Sequence, residues 1–230
     1  MALPACLMDA DQLERRPSFE LRAHERQGRQ REAAHVASVL DVPSGHGRVA
    51  RYIRAGCPDA TLYFYDLDAE GAEFCAETFN GTAIPSQPEL SAVPLPTVDL
   101  IWVGSLFTHV DRARTERWLQ YLSRHLNDHG VLHRHILWTL VHRGAEDAPD
   151  DRSGVLEHNL RGHAATGFGY APYPGDAYGD FGQSLCKAPT VMEIAGNIEG
   201  VRVNGSMERG WADHQDVLML TWDDRLRRWT

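Results

Sequence analysis

The sequence has no long apolar run, no closely spaced cysteine pair and no excess of positive charge. No stretch approaches the roughly 20 apolar residues that cross a bilayer. The N-terminus lacks both the basic start and the apolar core of a signal peptide. The four cysteines are scattered without a CxxC pair, which favours reduced thiols over a disulfide framework or a zinc knuckle. We therefore expect a cytoplasmic protein with no membrane partner.

The charge balance argues against a nucleic-acid partner. Asp and Glu number 32 against 23 Lys and Arg, giving a net charge of −9. An acidic chain repels a phosphate polymer unless its cations gather on one face. The arginines near the N-terminus alternate with glutamates instead, a pattern typical of a solvated helix. We therefore expect no nucleic-acid partner.

Short β-branched runs alternate with helical segments along most of the chain. The predicted strands are 36–42, 61–65, 82–84, 98–103 and 131–140, and the predicted helices are 48–55, 69–79 and 111–126. This alternation indicates βαβ units and a parallel sheet with helices on both faces. Two last strands, 201–207 and 216–222, are joined by too few residues for a crossover, so they are antiparallel neighbours. The expected fold is a doubly wound α/β fold with a mostly parallel seven-stranded sheet and an antiparallel last strand.

The predicted organisation is one domain with two additions. Residues 1–35 are polar and are predicted to form an N-terminal helical extension, and residues 36–230 form the single domain. The segment from about 139 to 186 is rich in Gly, Tyr, Asp and Pro, and only 151–162 has helical character. Long irregular segments in compact domains are usually lids or binding loops. We expect a loop-rich lid insertion there, followed by a helix at 188–197.

A glycine-rich turn follows the first strand. Gly45-x-Gly47-x-x-Ala50 lies between a strand and a helix, as in dinucleotide-binding turns, and Asp66 closes the next strand. A carboxylate at that place can accept hydrogen bonds from both ribose hydroxyls. Asp41, just before the turn, is awkward beside a pyrophosphate but suits a ligand with a free ammonium group, such as S-adenosylmethionine. The alternative is a plain tight turn with a capping aspartate.

Three segments resemble the motifs of class I S-adenosylmethionine-dependent methyltransferases. Residues 39–48 are similar to the family's acidic, glycine-rich first motif, with Pro43 where many members have glycine; 65–68 and 99–110 are similar to the second and the strand-four motifs. The tail 208–217 is similar to one branch of the family. The resemblance implies a Rossmann-like methyltransferase domain over 36–230 that uses S-adenosylmethionine. The cofactor contacts that it implies are Asp41, Pro43, Ser44, Gly45, Gly47, Arg48, Asp66, Leu67, Ser86, Gln87, Gly104 and Ser105.

The reaction expected of such a domain is methyl transfer to a small molecule, most plausibly at oxygen. His109, after the fourth strand, is the first candidate for a base that orients or deprotonates the acceptor, and His214 is the second. Packing or helix capping is the alternative role for His109. Tyr170, Tyr173 and Tyr178 in the predicted lid, with Trp211, are candidates for the acceptor wall, or else simply cover the loop and hairpin.

Other clusters and functions are less favoured. His133 and His135 alternate along one strand, but no carboxylate or cysteine at ligand spacing accompanies them, so we expect no metal site. The rival functions are an NAD(P)-dependent oxidoreductase and a non-catalytic cofactor-binding partner subunit. The identity of the acceptor and the oligomeric state, with a homodimer as one option, are open at this point.

Overall fold

A seven-stranded sheet forms the centre of the protein. The computed structural model describes residues 36–136, 153–174, 179–211 and 215–222. The strands of this sheet are β1 (Ser38–Val42), β2 (Thr61–Tyr65), β3 (Thr82–Ile84), β4 (Val98–Val103), β5 (Leu126–Ile136), β8 (Val201–Trp211) and β9 (Gln215–Trp222). Their spatial order is β3-β2-β1-β4-β5-β9-β8.

Strand direction confirms the expected fold class. Strands β1 to β5 are mutually parallel, and β9 pairs antiparallel with both β5 and β8. The strand order reverses between β1 and β4, which opens a crevice at the carboxyl ends of these strands. Open α/β sheets bind their ligands at such a point.

Helices cover both faces of the sheet. They are α1 (Ala50–Gly56), α2 (Ala69–Phe79), α3 (Arg112–Ser123), α4 (Ser153–Thr166) and α5 (Ala188–Gly196). One core packs α1 and α2 against β1, β2 and β4, through residues such as Ile53 and Cys75. The other packs α3 and α5 against the opposite face, with Trp118 and Val191 buried. Among the described helices, none is long and apolar enough to cross a membrane.

The segment predicted to be largely irregular contains a second, two-stranded sheet. Strands β6 (Phe168–Pro172) and β7 (Gly182–Cys186) form an antiparallel hairpin, so the prediction that the segment is irregular outside the helix at 151–162 was wrong. The hairpin is fixed to the loop that follows β4, because the backbone N–H groups of Gly182 and Ser184 donate to the carbonyls of His109 and Thr108 at 2.8 and 2.9 Å. Whether the insertion works as a lid stays a prediction.

Strand β5 begins earlier than predicted. Residues 127–130 carry a helix-stop signal, yet the strand starts at Leu126, so the predicted start at Val131 was wrong. Leu126 pairs with Val98, and the Asn127 side chain donates to the Asp99 carboxylate at 2.7 Å. Pairing with β4 therefore overrides the local turn signal. The end of the predicted strand, the N-terminal extension 1–35, and the predicted site residues Tyr178 and His214 lie outside the described residues.

Candidate active site at the carboxyl edge of the sheet

The glycine-rich turn between β1 and α1 is fixed to the end of β2. The Ser44 N–H donates to the Tyr65 carbonyl at 2.9 Å, and the Gly45 N–H donates to an Asp66 carboxylate oxygen at 2.7 Å. Gly45 and Gly47 have φ of +51° and +79°, a left-handed conformation that glycine adopts without strain. A Cβ at Gly45 would have no neighbour within 4 Å, so the turn leaves open space above it.

Asp66 closes β2 and fastens this turn. Its second carboxylate oxygen accepts from the Asp68 N–H at 2.8 Å, and the residue is only 5% exposed. Burial raises the pKa of Asp66, while the hydrogen bonds from Asp68 and Gly45 oppose that shift. Each carboxylate oxygen can accept a further bond, so the acceptors needed for a ribose are present. Contact with a ribose stays a prediction.

Asp41 lies at the end of β1 with its carboxyl group buried and unsatisfied. The residue is 1% exposed, and neither carboxyl oxygen has a hydrogen-bond partner among the described residues. Burial raises the pKa of Asp41 well above its ordinary value, and the negative charge of Asp66 raises it further. A buried carboxyl without a hydrogen bond, at the foot of the turn, is a group that a polar ligand would satisfy.

A narrow apolar cleft opens beside the turn. It encloses about 270 Å³ of empty space, including its opening to solvent, and is lined by Pro43, Tyr65, Leu67, Pro88, Leu90, Leu106, Trp118 and Phe181. Most of that volume belongs to the opening, and the enclosed part has room for about one water molecule. A nucleoside would therefore enter only after the apolar walls had moved apart. The Tyr65 hydroxyl donates to the Gln87 carbonyl at 2.5 Å and ties the loop after β3 to the cleft.

Residues after β4 meet the hairpin. The Nδ1 atom of His109 lies 2.8 Å from the Tyr173 hydroxyl and 3.1 Å from the Gly182 carbonyl oxygen. Burial lowers the pKa of His109, and the bond to the Gly182 carbonyl partly opposes this effect. The neutral imidazole is the form that can accept a proton. Two predicted site residues from distant parts of the chain are thus in contact.

The comparisons with known proteins agree with this geometry. Residues 40–132 match the family model described as a methyltransferase domain. This segment, 93 of the 230 residues, runs from β1 into β5 and is similar to methyltransferase domains. No curated protein matches the sequence significantly.

Solved structures show the same fold at low identity. An S-adenosylmethionine-dependent methyltransferase from Clostridium acetobutylicum has 12% identity and a TM-score of 0.60, with 94% of this chain and 93% of that chain covered. An O-methyltransferase family protein from Burkholderia thailandensis has 14% identity and a TM-score of 0.57, with 94% and 64% covered.

A third similar structure contains ligands. It is an O-methyltransferase from neocarzinostatin biosynthesis in complex with S-adenosylmethionine and 2-hydroxy-5-methyl naphthoic acid, with 13% identity, a TM-score of 0.55, and 92% of this chain and 60% of that chain covered. This chain therefore spans less than two thirds of the length of two of these three proteins. At such identities the likeness shows the fold.

The remaining residues that were predicted to contact the cofactor are spread along the carboxyl edge of the sheet. Leu67 lines the cleft, whereas Arg48 is exposed. Ser86 and Gln87 precede Pro88, which forms part of the cleft wall together with Leu90. The sequence predicted polar contacts in this loop, so these two apolar residues were missed.

Gly104 and Ser105 follow β4 directly. Ser105 adopts φ of +60°, and its hydroxyl exchanges hydrogen bonds with the Gln215 side chain at 3.0 and 2.9 Å. Gln215 opens β9, and nothing local in the sequence indicated that it would reach the end of β4. It fixes the position of Ser105 at the edge of the predicted methionine subsite.

Tyr170 and Trp211 have structural contacts. The Tyr170 hydroxyl donates to the Asp180 carbonyl at 2.5 Å and so closes the hairpin loop. Trp211 is 9% exposed and packs edge-on against Trp102, with ring centroids 5.5 Å apart. For Trp211 this contact favours the covering role that the sequence left open.

A glycine that the sequence motif does not include, Gly71, packs against the glycine-rich turn. A Cβ at Gly71, in the first turn of α2, would lie 2.8 Å from the Gly45 carbonyl oxygen. Only glycine lets α2 approach the glycine-rich turn this closely. The motif predicted Ala50 as the third small residue, whereas the structure adds Gly71, which lies 26 residues from Gly45 and outside any local pattern.

Glu89 connects the loop after β3 to α3. Its carboxylate accepts from Arg117 at 2.9 Å, from the Ser91 hydroxyl at 2.6 Å, and from the Trp118 indole N–H. Burial raises the pKa of Glu89, but the hydrogen bonds from Arg117, Ser91 and Trp118 outweigh it and lower the pKa to about 2. These bonds position Trp118 and Leu90, which line the cleft.

We expect Glu89→Gln to destabilise the domain by about 1 kcal/mol at pH 7, a modest value because the carboxylate is partly exposed and screened. The folded-state pKa lies below the unfolded one. The contribution of Glu89 is therefore present above pH 5 and is lost as the pH falls through about 4.5 towards 2. Urea unfolding of both proteins at pH 7 and pH 3 measures this. Glu77→Gln, at an exposed site on α2, is the control. If the difference in unfolding free energy between Glu89→Gln and the unmodified protein does not become smaller at pH 3, the lowered pKa of Glu89 is contradicted.

Proposed function

We propose that this protein transfers a methyl group from S-adenosylmethionine to a small-molecule acceptor, at an oxygen atom. The observation that carries the proposal is the orphaned carboxyl of Asp41 beneath the glycine turn, next to the Asp66 carboxylate. A cofactor with an ammonium group at one end and a ribose in its middle satisfies both acids. A pyrophosphate in place of the ammonium would add negative charge beside Asp41, which disfavours a dinucleotide.

The cofactor contacts follow from this arrangement. Asp66 would accept the ribose hydroxyls, Asp41 would face the ammonium group, and Leu67, Leu90 and Leu106 would enclose the base. S-adenosylmethionine, when bound, supplies an electrophilic methyl group on a sulfonium. The apolar walls exclude water from this region, so the protein's main task is alignment.

The acceptor side is assigned to the region between β4 and the hairpin. His109 would accept the proton of the acceptor hydroxyl as its oxygen becomes nucleophilic. Tyr173 and the Gly182 carbonyl hold the imidazole in place through Nδ1. The neocarzinostatin-pathway protein was solved with a hydroxynaphthoic acid, which supports hydroxylated aromatic compounds as the first acceptors to test.

Calorimetry with purified protein tests the cofactor assignment. We expect S-adenosylhomocysteine and S-adenosylmethionine to bind in the micromolar range, and NAD and NADP not to bind measurably. Binding of NAD or NADP alone would contradict the proposal and favour the oxidoreductase. A panel of phenols and hydroxylated aromatic acids, assayed for S-adenosylhomocysteine release, then tests methyl transfer to oxygen. Cofactor binding without any turnover across amine and hydroxyl acceptors would favour the non-catalytic subunit.

A further inference from the structure

The buried carboxyl of Asp41 has a consequence for how a ligand binds. An ionised carboxylate removed from water and given no hydrogen bond is costly, so such a group keeps its proton instead. Asp41 is 1% exposed, and no described residue gives either of its carboxyl oxygens a hydrogen bond. By contrast, the neighbouring Asp66 accepts two backbone N–H bonds, which stabilise its charge. Among the described residues, hydrogen bonds therefore stabilise the anion of Asp66 but not the anion of Asp41.

The groups around Asp41 favour its neutral form. From β2, the Asp66 carboxyl acts on it with a like charge. From α2, Cys75 lies close, and burial raises the pKa of this thiol above its ordinary value, so it remains uncharged. From β4, the residue in register is the neutral Trp102.

Two histidines lie close to Asp41 in sequence or in backbone register. The side chain of His46, on the turn, is 62% exposed and lies 3.8 Å from the Asp68 carboxylate. The backbone register places His133 of β5 next to Trp102, one strand further from Asp41. The two effects that act on Asp41, burial and Asp66, both disfavour its anion.

We propose that Asp41 carries a proton in the ligand-free protein and that a nucleoside with an α-amino-acid tail expels this proton when it binds. The ligand's ammonium group supplies the positive charge that the site lacks, so the carboxylate forms and its proton passes to the buffer. The ammonium keeps all of its own protons. This inference rests on the proposed function, because it assumes that the tail of the cofactor reaches Asp41.

Proton release makes binding depend on pH. Affinity for a ligand with the tail rises with pH, by up to about tenfold per unit, until the pH passes the pKa of Asp41 in the free protein. Above that pH the affinity is constant. A ligand without the tail leaves Asp41 protonated and binds equally across the same range.

Calorimetry with two probes tests the proposal. S-adenosylhomocysteine has the tail and 5′-methylthioadenosine lacks it, and each is titrated between pH 6 and pH 8 in phosphate and in Tris, whose ionisation enthalpies differ. We expect up to one proton released per S-adenosylhomocysteine bound and none for 5′-methylthioadenosine. Asp41→Asn, which resembles the neutral acid in shape, should abolish both the release and the pH dependence. Thermal unfolding establishes that this variant is folded.

The controls separate this inference from the proposed function. His133→Gln should release protons as the unmodified protein does, which excludes that histidine as their source. If S-adenosylhomocysteine binds without proton release, or if Asp41→Asn still releases protons, the inference is overturned while the proposed function stands. If neither probe binds, both are overturned.

Discussion

Replacing Asp66 with alanine is expected to weaken binding of S-adenosylhomocysteine by at least about 100-fold, or ~2.7 kcal/mol. The carboxylate has two tasks: it holds the N–H groups of Gly45 and Asp68, and it is the proposed acceptor for the ribose. Hydrogen bonds to a charged group contribute about 1.5–3 kcal/mol each, so losing two of them exceeds the effect of any single apolar contact in the cleft. Isothermal titration calorimetry measures the change directly.

Two further variants show which task of Asp66 matters. Asp59→Ala removes an exposed acid in the turn before β2 and should leave affinity unchanged. Asp66→Asn keeps one acceptor oxygen but turns an amide towards a backbone N–H, so it should lose most of the affinity while the protein still folds. Wild-type affinity in Asp66→Asn would contradict contact with the ribose.

Replacing His109 is expected to lower turnover by about 10²- to 10⁴-fold while cofactor affinity stays within a few-fold, because general-base catalysis contributes about that much. His109→Gln is the variant of choice, since its side-chain amide can still form a hydrogen bond with the Tyr173 hydroxyl. The assay follows S-adenosylhomocysteine release with whichever hydroxylated aromatic compound the unmodified protein methylates. His158→Ala, at an exposed position on α4, is the matched control.

The pH profile carries a second signature of His109. Burial lowers its pKa below 6.5, and the active form is the neutral one. Turnover should therefore rise with pH through a value below 6.5 and then stay level. His109→Gln should lose this acidic limb, and Tyr173→Phe should move it. If the acidic limb of the turnover profile is unchanged in His109→Gln, a group other than His109 causes the pH dependence.

The local sequence pattern predicted the helices and strands near the glycine-rich turn well. Strand β2, helix α2 and strands β3 and β4 have the bounds that the sequence predicted, because each is a short run with its own period and its own stop signal. The glycine turn and the acid at the end of β2 also follow from local spacing. The fold class and the cofactor contacts of the resemblance depend mainly on these segments.

The hairpin was missed because its glycines look like loop residues. A Cβ at Gly169 would lie 2.0 Å from the Asn159 carbonyl oxygen, and a Cβ at Gly182 would lie 2.1 Å from the Ala171 carbonyl oxygen. These glycines allow α4 to pack on β6 and β7 to pack on its partner strand. Composition cannot distinguish a glycine required by close packing from one that makes a loop flexible.

By itself, the sequence determined a doubly wound sheet with a glycine turn and an acid at the end of each of its first two strands, because periodicity and spacing act over a few residues. Only the tertiary structure decided which side chains meet across the crevice. His109 meets Tyr173 and Ser105 meets Gln215 across separations of 64 and 110 residues. The packed chain also buries Asp41 without a hydrogen-bond partner in the part that the structure describes. Burial and long-range contacts are properties of the packed chain, and no local pattern encodes them.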